Sequence, residues 1–436
     1  MKEHNKIFLK YTIPAVVGML VATLYTFVDG IFVGNYVGPN AIAAIGIVWP
    51  FNAITMSLCV LIGTGGGALA SINFGRGNRE RAQSLFSQSI TLAFLISLIL
   101  SFICIIFPKT VVKLLGSNDA LLGDCIIYLR FFMLFGCFNG GAIILNIFVN
   151  NDRNPILALC GMISGCVTNI VLDYFFVKVF SWGLIGAAVA SGLGQVVACV
   201  TLLMHFVFKK GDLKFKFSTL IYKDAKKIIV TGIPAFVNEV ATPISAIVFN
   251  YVIVRRMGEW GVAIFSIVAY LLTLYYCALS GVAQGLQPPM SRFYGEKRND
   301  ILKELFRTAI IVSELLGVFI FVVMIVFSKQ AVGMFTQNAD LINDSVSPLR
   351  LYSIFCIFFA VNVVIVSALQ ATRITKAATI ISVFRCFFTN ITCVLVLPLF
   401  LGNTGIWLAA PLSELLVLVL AVYQFSKNKN TLFAAK

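Results

Sequence analysis

Long apolar runs follow one another along almost the whole chain, and each is more than twenty residues long. A helix needs roughly 20 apolar residues to cross the roughly 30 Å of hydrocarbon in a bilayer. Backbone in lipid must be helical or closed into a barrel, and these runs are too long and too continuously apolar for barrel strands. We therefore predict twelve transmembrane helices, near residues 11–33, 41–72, 85–107, 122–149, 156–180, 184–208, 228–254, 261–290, 305–327, 346–371, 378–400 and 405–425.

The composition agrees with lipid as the main solvent. Of the 436 residues, 59% are hydrophobic and 12% are charged, whereas ordinary soluble domains are about 25% charged. A core in water could not bury so much apolar surface. We expect an all-α polytopic membrane protein with the lipid bilayer as its surroundings.

The basic residues, which give the chain a net charge of +15, lie mainly between the apolar runs. With the N-terminus inside, 24 of the 33 Lys and Arg residues fall in inside segments, six in outside loops and three within spans. This distribution follows the positive-inside rule, so we predict an even number of spans with both termini cytoplasmic. The basic segments lack interleaved stacking aromatics, and we expect no nucleic-acid partner.

The two halves of the chain repeat one another. A shift of 220 residues superposes Ile13-Pro14-Ala15 on Ile233-Pro234-Ala235, and a shift of 222 superposes Gly183–Ser191 on Gly405–Ser413. Six spans per half is an even number, so the halves share one orientation, as in parallel repeats related by an axis along the membrane normal. We predict a first lobe at 1–208, a cytoplasmic linker at 209–227 and a second lobe at 228–436.

Polar residues within spans are the candidates for function, because an ionisable group there costs roughly 2.5–3.5 kcal/mol on insertion scales. Asp29 lies late in the first span, while Asn169 and Asp173 are four residues apart on the fifth and so share one helical face. Carboxylates with an amide suit a shared proton or a hard cation such as Na⁺. The structural alternatives are an interfacial carboxylate at Asp29 and a helix–helix hydrogen bond on the fifth span.

Other polar residues in spans are weaker candidates. Asn146, on the fourth span, could join the cluster of Asp29, Asn169 and Asp173. Glu239 lies between two prolines near the start of the seventh span, where it could sit at a bend or at the interface. For the remaining ionisable residues we favour ion pairing or snorkelling to an interface; these residues are Glu314, Glu414, Arg130, Arg350 and Arg385.

No catalytic or cofactor motif accompanies these residues. His4 and His205 are the only histidines, too few for a histidine metal centre, and most of the eleven cysteines lie inside apolar runs. The glycine-rich segment 63–67 lacks the lysine and strand context of a phosphate-binding loop, and it is typical of helices that approach closely. We expect a transporter rather than an enzyme, with small molecules as substrates and no cofactor.

Five segments, spread over nearly the whole chain, are similar to those of one known family. They are Ile13-Pro14-Ala15 with Thr26–Gly34, Val149–Pro155, Asn169–Phe176, Trp182–Ser191 and Gly232–Glu239. As a set they resemble the multidrug and toxic compound extrusion (MATE) family, and most of all its DinF/MepA-like bacterial branch.

The resemblance implies two six-helix bundles that form a V around a central cavity in the bacterial cytoplasmic membrane. It implies antiport of drugs or toxic metabolites, cationic and aromatic, against H⁺ or Na⁺. It assigns the coupling site, which could hold Na⁺, to Asp29, Asn169 and Asp173, with Asn146 as a further member. Glu239 and Asn362 become a secondary ion or substrate site. Some members carry an aspartate at the position of Asn362, so we expect coupling mainly in the first half, in a monomer.

Two alternatives remain at this point. A flippase for lipid-linked saccharides would share the general architecture, but its anionic substrates would favour a basic cavity, and acids outnumber arginines within the predicted spans. A membrane sensor without transport would be expected to carry a long polar domain, and none flanks the spans.

Overall fold

The structure is a computed structural model that describes residues 3–117, 119–208, 211–215 and 221–433, and these residues contain helices but no strand. The first half comprises α1 (Glu3–Tyr36), α2 (Pro39–Gly75), α3 (Arg79–Ile106), α4 (Pro108–Leu114), α5 (Leu122–Met133), α6 (Gly136–Asn151), α7 (Pro155–Asp173) and α8 (Gly183–Val207). The second half comprises α9 (Tyr222–Gly295), α10 (Asn299–Val326), α11 (Ser328–Gly333), α12 (Ala339–Ser353), α13 (Phe355–Ala371), α14 (Thr375–Val383), α15 (Asn390–Leu401) and α16 (Asn403–Phe433). Two π-helical turns, Tyr174–Val179 and Phe384–Thr389, follow α7 and α14.

The helices account for twelve membrane crossings. Within the described ranges, ten helical stretches are long and apolar enough to cross, and α5 with α6, bent by 53° at their junction, form another. Helix α9 has 74 residues, about 110 Å if it were straight, which is far more than one bilayer. Its backbone leaves the helical region at Gly258 (φ 64°, ψ −157°), so it divides into two crossings. The predicted twelve-helix, all-α membrane fold is confirmed.

The chain packs as two compact units. The first unit is residues 17–236, and the second unit is residues 1–16 together with 237–436. Each has its own apolar core, in which Phe86, Leu129 and Phe148 are fully buried in the first unit and Phe249 and Leu305 in the second. The units differ from the predicted lobes at the ends of α1 and α9, because the first turns of each helix belong with the other half of the sequence.

Backbone geometry repeats between the halves with the 220-residue shift. Arg153 (φ 67°) corresponds to Arg373 (φ 64°), and Gly77 (φ 79°) corresponds to Lys297 (φ 59°). A positive φ is costly for a residue with a side chain, yet both halves keep it directly after a helix. The short helices α4 and α11 also begin 220 residues apart. The predicted internal repeat is therefore present in the backbone as well as in the sequence.

The glycine-rich segment of α2 lets neighbouring helices approach closely. A Cβ added at Gly65 would overlap the backbone carbonyl of Ile228, at the start of α9 in the same unit. A Cβ at Gly67 would lie 2.7 Å from the side-chain amide of Asn151. The interpretation of this segment as a close-packing element, rather than a phosphate loop, is confirmed.

Gly65→Ala is expected to destabilise the first unit by about 1–3 kcal/mol, because the methyl group has no room against a rigid backbone. Gly46→Ala, on the same helix, is the matched control, since a Cβ there meets nothing within 4 Å. The check is thermal unfolding of the purified protein in detergent, followed by circular dichroism. Equal Tm values for the two variants would contradict the packing argument.

Candidate functional site

Asp29 and Asp173 come together in the first unit, although they are far apart in the sequence. Asp29 lies on α1 and Asp173 is the last residue of α7, and their carboxyl groups face each other in direct contact. Asp173 is fully buried and Asp29 is half-buried. Apart from their mutual contact, both side-chain oxygens of Asp173 and Oδ1 of Asp29 have no hydrogen-bond donor in the described protein.

Asn169 adds an amide to this pair. Its Nδ2 donates a hydrogen bond to Oγ of Ser191 on α8 at 3.2 Å, while its Oδ1 is buried without a donor. The amide is held there because α7 and α8 approach closely at Gly165 and Gly194, where a Cβ on Gly165 would lie 3.0 Å from the carbonyl oxygen of Gly194. The structure thus brings Asp29 and Asp173 together, and Asn169 lies one helical turn before Asp173 on α7.

These three residues present buried oxygen atoms in excess of donors. Such a set fits a proton shared between carboxyls, or a hard cation that prefers oxygen ligands. In the described part of the chain, no group of three His, Cys, Asp or Glu residues could hold a metal ion. An Na⁺ ion would therefore need the Asn169 amide oxygen in addition to the two carboxyl groups.

Two tyrosines complete the surroundings of the carboxyl pair. Tyr25 lies one helical turn before Asp29 on α1, and Tyr128 lies on α5; both interact electrostatically with Asp29 and Asp173. Their hydroxyl groups are the polar neighbours that sequence analysis missed. The spacing of four residues between Tyr25 and Asp29 was an available signal, whereas Tyr128 is brought in by tertiary packing alone.

A π-helical turn begins at the residue after Asp173 and runs from Tyr174 to Val179. Single π turns inside α-helices are frequent at functional sites, because they leave a helix locally widened and its backbone bonding less regular. Here the turn continues the fifth span directly beyond the buried carboxyl. No sequence pattern predicted it.

Asn146 lies elsewhere. Its Nδ2 donates to the carbonyl oxygen of Ala158 at 2.9 Å, and its Oδ1 accepts from Asn150 at 3.3 Å. Ala158 precedes Asn169 by roughly three turns of α7, a rise of about 16 Å. The structure therefore does not bring Asn146 to the carboxyl pair, and its hydrogen bond to Ala158 instead joins α6 to α7.

The two residues of the predicted secondary site, Glu239 and Asn362, also lie in different surroundings. Asn362 is buried, and its Nδ2 donates to Oε2 of Glu414 at 2.8 Å and to the Glu414 carbonyl at 2.9 Å. Glu239 is exposed, and the structure describes no hydrogen bond between it and Asn362. The buried acid in contact with Asn362 is Glu414, for which sequence analysis favoured a structural role.

Arg385 lies close to that acid. The guanidinium group is buried, donates to Oδ1 of Asn238 at 2.7 Å, and lies 5.2 Å from the centre of the Phe359 ring. It interacts electrostatically with Glu414. The structure describes no ion pair between Arg385 and Glu414, so the pairing of Arg385 with an acid stays a prediction. The second unit has a polar cluster of Asn238, Asn362, Arg385 and Glu414.

A comparison with protein families identifies the fold. The MatE family model matches residues 14–175 and again residues 234–396, two copies that begin 220 residues apart. The chain belongs to the MatE family. It is therefore a secondary transporter and not an enzyme.

Individual relatives are distant but cover almost the whole chain. The chain is 24% identical to the multidrug export protein MepA of Staphylococcus saprophyticus, over 88% of this chain and 86% of that protein. A multidrug resistance MATE family transporter solved in an outward-facing conformation shares the fold with a TM-score of 0.91, at 22% identity, and covers 100% of this chain and 97% of its own. A Pyrococcus furiosus transporter described as having a binding pocket of reverse polarity is equally similar, with a TM-score of 0.90, 22% identity and the same coverage.

Proposed function

We propose that this protein is a multidrug efflux antiporter that exports organic, cationic and aromatic compounds in exchange for H⁺ or Na⁺. The observation that carries the proposal is the contact between the carboxyl groups of Asp29 and Asp173, in which Oδ1 of Asp29 and both oxygens of Asp173 have no donor elsewhere in the described protein. The name of the MepA relatives supports the drug-export part of the proposal.

The carboxyl pair supplies a physical basis for coupling. Two ionised carboxylates in contact repel each other strongly in a medium of low polarity. A proton or Na⁺ between them removes that repulsion, and the Asn169 amide oxygen adds a further ligand for a cation. Ion binding drives transport only if it favours one conformation over the other, since equal affinity for both would shift nothing.

The transport cycle follows from this requirement. In the outward-facing state an external ion binds Asp29, Asn169 and Asp173, and the bound drug leaves. The protein then returns to the inward-facing state, releases the ion and reloads drug from the cytoplasm. Exchange of this kind occurs over microseconds to seconds.

The charge of the site favours cations as cargo. The first unit places two acids together, and in the second unit Arg385 interacts electrostatically with an acid, Glu414. For the P. furiosus transporter, a binding pocket of reverse polarity suggests a different function, so the preference for cations here rests on the residues of this chain. The residues of this chain support a cationic compound over the anionic lipid-linked saccharide of a flippase.

The test is efflux of a fluorescent cationic dye from vesicles that contain the purified protein, with a pH gradient and a sodium gradient imposed separately. We expect dye to move against its gradient under one of the two. The ion whose gradient drives movement is the coupling ion. Protein-free vesicles are the control, and movement of a lipid-linked saccharide without dye transport would replace this proposal with the flippase.

A further inference from the structure

Four exposed lysines lie around the linker and the start of α9. They are Lys214, Lys223, Lys226 and Lys227. Tyr222, at the first position of α9, is 79% exposed beside them. We call these five residues the linker surface; the other three lysines of the linker lie outside the described residues.

One end of the linker surface is fixed by a buried carboxylate. Asp224 is 1% exposed, forms an ion pair with Arg81, and accepts from Nε2 of Gln88 at 3.1 Å. The same Gln88 side chain accepts a hydrogen bond from the backbone N–H of Ile221 at 3.0 Å. These contacts hold the first turn of α9 against α3.

A second buried carboxylate fixes the other end. Oδ1 of Asp152 accepts from the backbone N–H groups of Asp212 and Leu213, at 2.9 and 3.2 Å. Its Oδ2 lies 2.9 Å from Nε2 of the buried His205. Lys214 follows directly after this anchored backbone, so both parts of the linker surface have a set position in the first unit.

The start of α9 has two distinct faces. Asp224, Ile228 and Thr231 are buried on one face. Lys223, Lys226 and Lys227 lie on the other, at spacings of three and four residues that place them side by side. Ile229 and Val230, the next exposed residues, are apolar and 40 and 42% exposed. The exposed face thus changes from basic to apolar within two helical turns, as a helix does at the boundary between headgroups and hydrocarbon.

Few acids lie near the lysines of this face. Asp224 interacts electrostatically with Lys227 but is already paired with Arg81, and the other acid in the described residues 211–215 and 221–230 is the half-buried Asp212. Basic clusters next to a membrane-crossing helix attract anionic lipids, whereas zwitterionic headgroups offer no net charge to bind.

We propose that the linker surface binds the headgroups of anionic phospholipids of the bilayer in which the protein sits. The lysines contact the phosphate groups, while Tyr222, Ile229 and Val230 contact the boundary of the acyl region. Two carboxylate anchors keep the lysines in a fixed arrangement, which makes the surface a site rather than a diffuse charge. This inference is independent of the transported compound and of the coupling ion.

The test counts lipids bound to the purified full-length protein in detergent by native mass spectrometry, during titration with phosphatidylglycerol or with phosphatidylcholine. We expect Lys226→Gln/Lys227→Gln to weaken phosphatidylglycerol binding by about fivefold for each lysine removed, with phosphatidylcholine binding unchanged. Lys427→Gln/Lys429→Gln, which removes two exposed lysines from α16, is the matched control and should retain wild-type binding. Lys226→Arg/Lys227→Arg should also retain it.

Three results would overturn the proposal. The first is equal loss in the α16 variant, which would indicate a response to total charge. The second is binding of phosphatidylcholine as strong as that of phosphatidylglycerol. The third is full competition by free inorganic phosphate at the lipid concentration, which would indicate an anion site rather than a lipid site. Since the measurement requires no transport, its failure is distinguishable from failure of the proposed antiport.

Discussion

Cells that express Asp29→Asn or Asp173→Asn are expected to lose resistance to cationic drugs completely, with the same amount of protein in the membrane. Asparagine keeps the shape of aspartate but can neither take up a proton nor supply a negative charge to Na⁺. With one carboxyl left, the repulsion that an incoming ion relieves is absent. Ion binding then no longer favours one conformation, so it cannot drive the return step.

The measurement is growth of a host without its own efflux pumps on a series of cationic aromatic dyes, with immunoblotting of the membrane fraction. Asp340→Asn is the control, because Asp340 is exposed in the first turn of α12 and belongs to the second unit. It should give wild-type resistance. Full resistance from both site variants would remove the assignment of Asp29 and Asp173 as coupling residues.

Arg385→Met is expected to cost about 1–3 kcal/mol of stability, since it removes a buried charged donor from groups that stay buried. One of these groups is Glu414, which is 8% exposed and interacts electrostatically with Arg385. Oδ1 of Asn238 also loses the donor that now lies at 2.7 Å. The double variant Arg385→Met/Glu414→Gln should be less destabilised than the sum of its single variants, because neither charge is then left alone.

The free energy of unfolding can be followed by denaturant titration of the protein in detergent. Arg130→Met is the control for loss of an arginine from a predicted span; Arg130 is exposed, so its loss should change stability by less than about 0.5 kcal/mol. Strict additivity of the Arg385 and Glu414 variants would show that the two charges do not interact.

The number of helices and the repeat were predictable because both depend on features that are local in the sequence. A bilayer imposes a minimum apolar length, and the runs met it twelve times. The pair Asn169 and Asp173 was predictable for the same reason, since four residues on one helix share a face. Asp29 was assigned to the same site because of the family resemblance and because few acids lie within spans.

The irregularities of the helices were not predictable in this way. The 53° bend between α5 and α6 contains no proline, and the π turn after Asp173 interrupts neither the apolar run nor its composition. Both depend on how side chains pack in three dimensions. Helix α9 divides at Gly258, which corresponds to Gly38 in the repeat, and both glycines have a positive φ. For this irregularity the sequence therefore did contain a local signal.

Contacts between residues that lie far apart in the sequence were also not predicted. Tyr128, on α5, interacts electrostatically with the carboxyl pair, and Glu414 rather than Glu239 binds Asn362. Asn146 was predicted to join the carboxyl pair because it lies in a span, but its hydrogen bonds lie near the turn between α6 and α7. In each case the decisive contact depends on the packing of separate helices, which periodicity along one helix does not contain.

The first turns of α1 and of α9 each pack with the other half of the sequence, and this matters if the gene is divided in two. Residues 1–16 belong to the second unit, and residues up to Phe236 belong to the first. A polypeptide cut within the linker therefore separates each unit from one of its own helix ends. Neither fragment contains a whole compact unit, so we expect the two halves, despite their repeat, to fold poorly when each is made alone and to need each other in the same membrane.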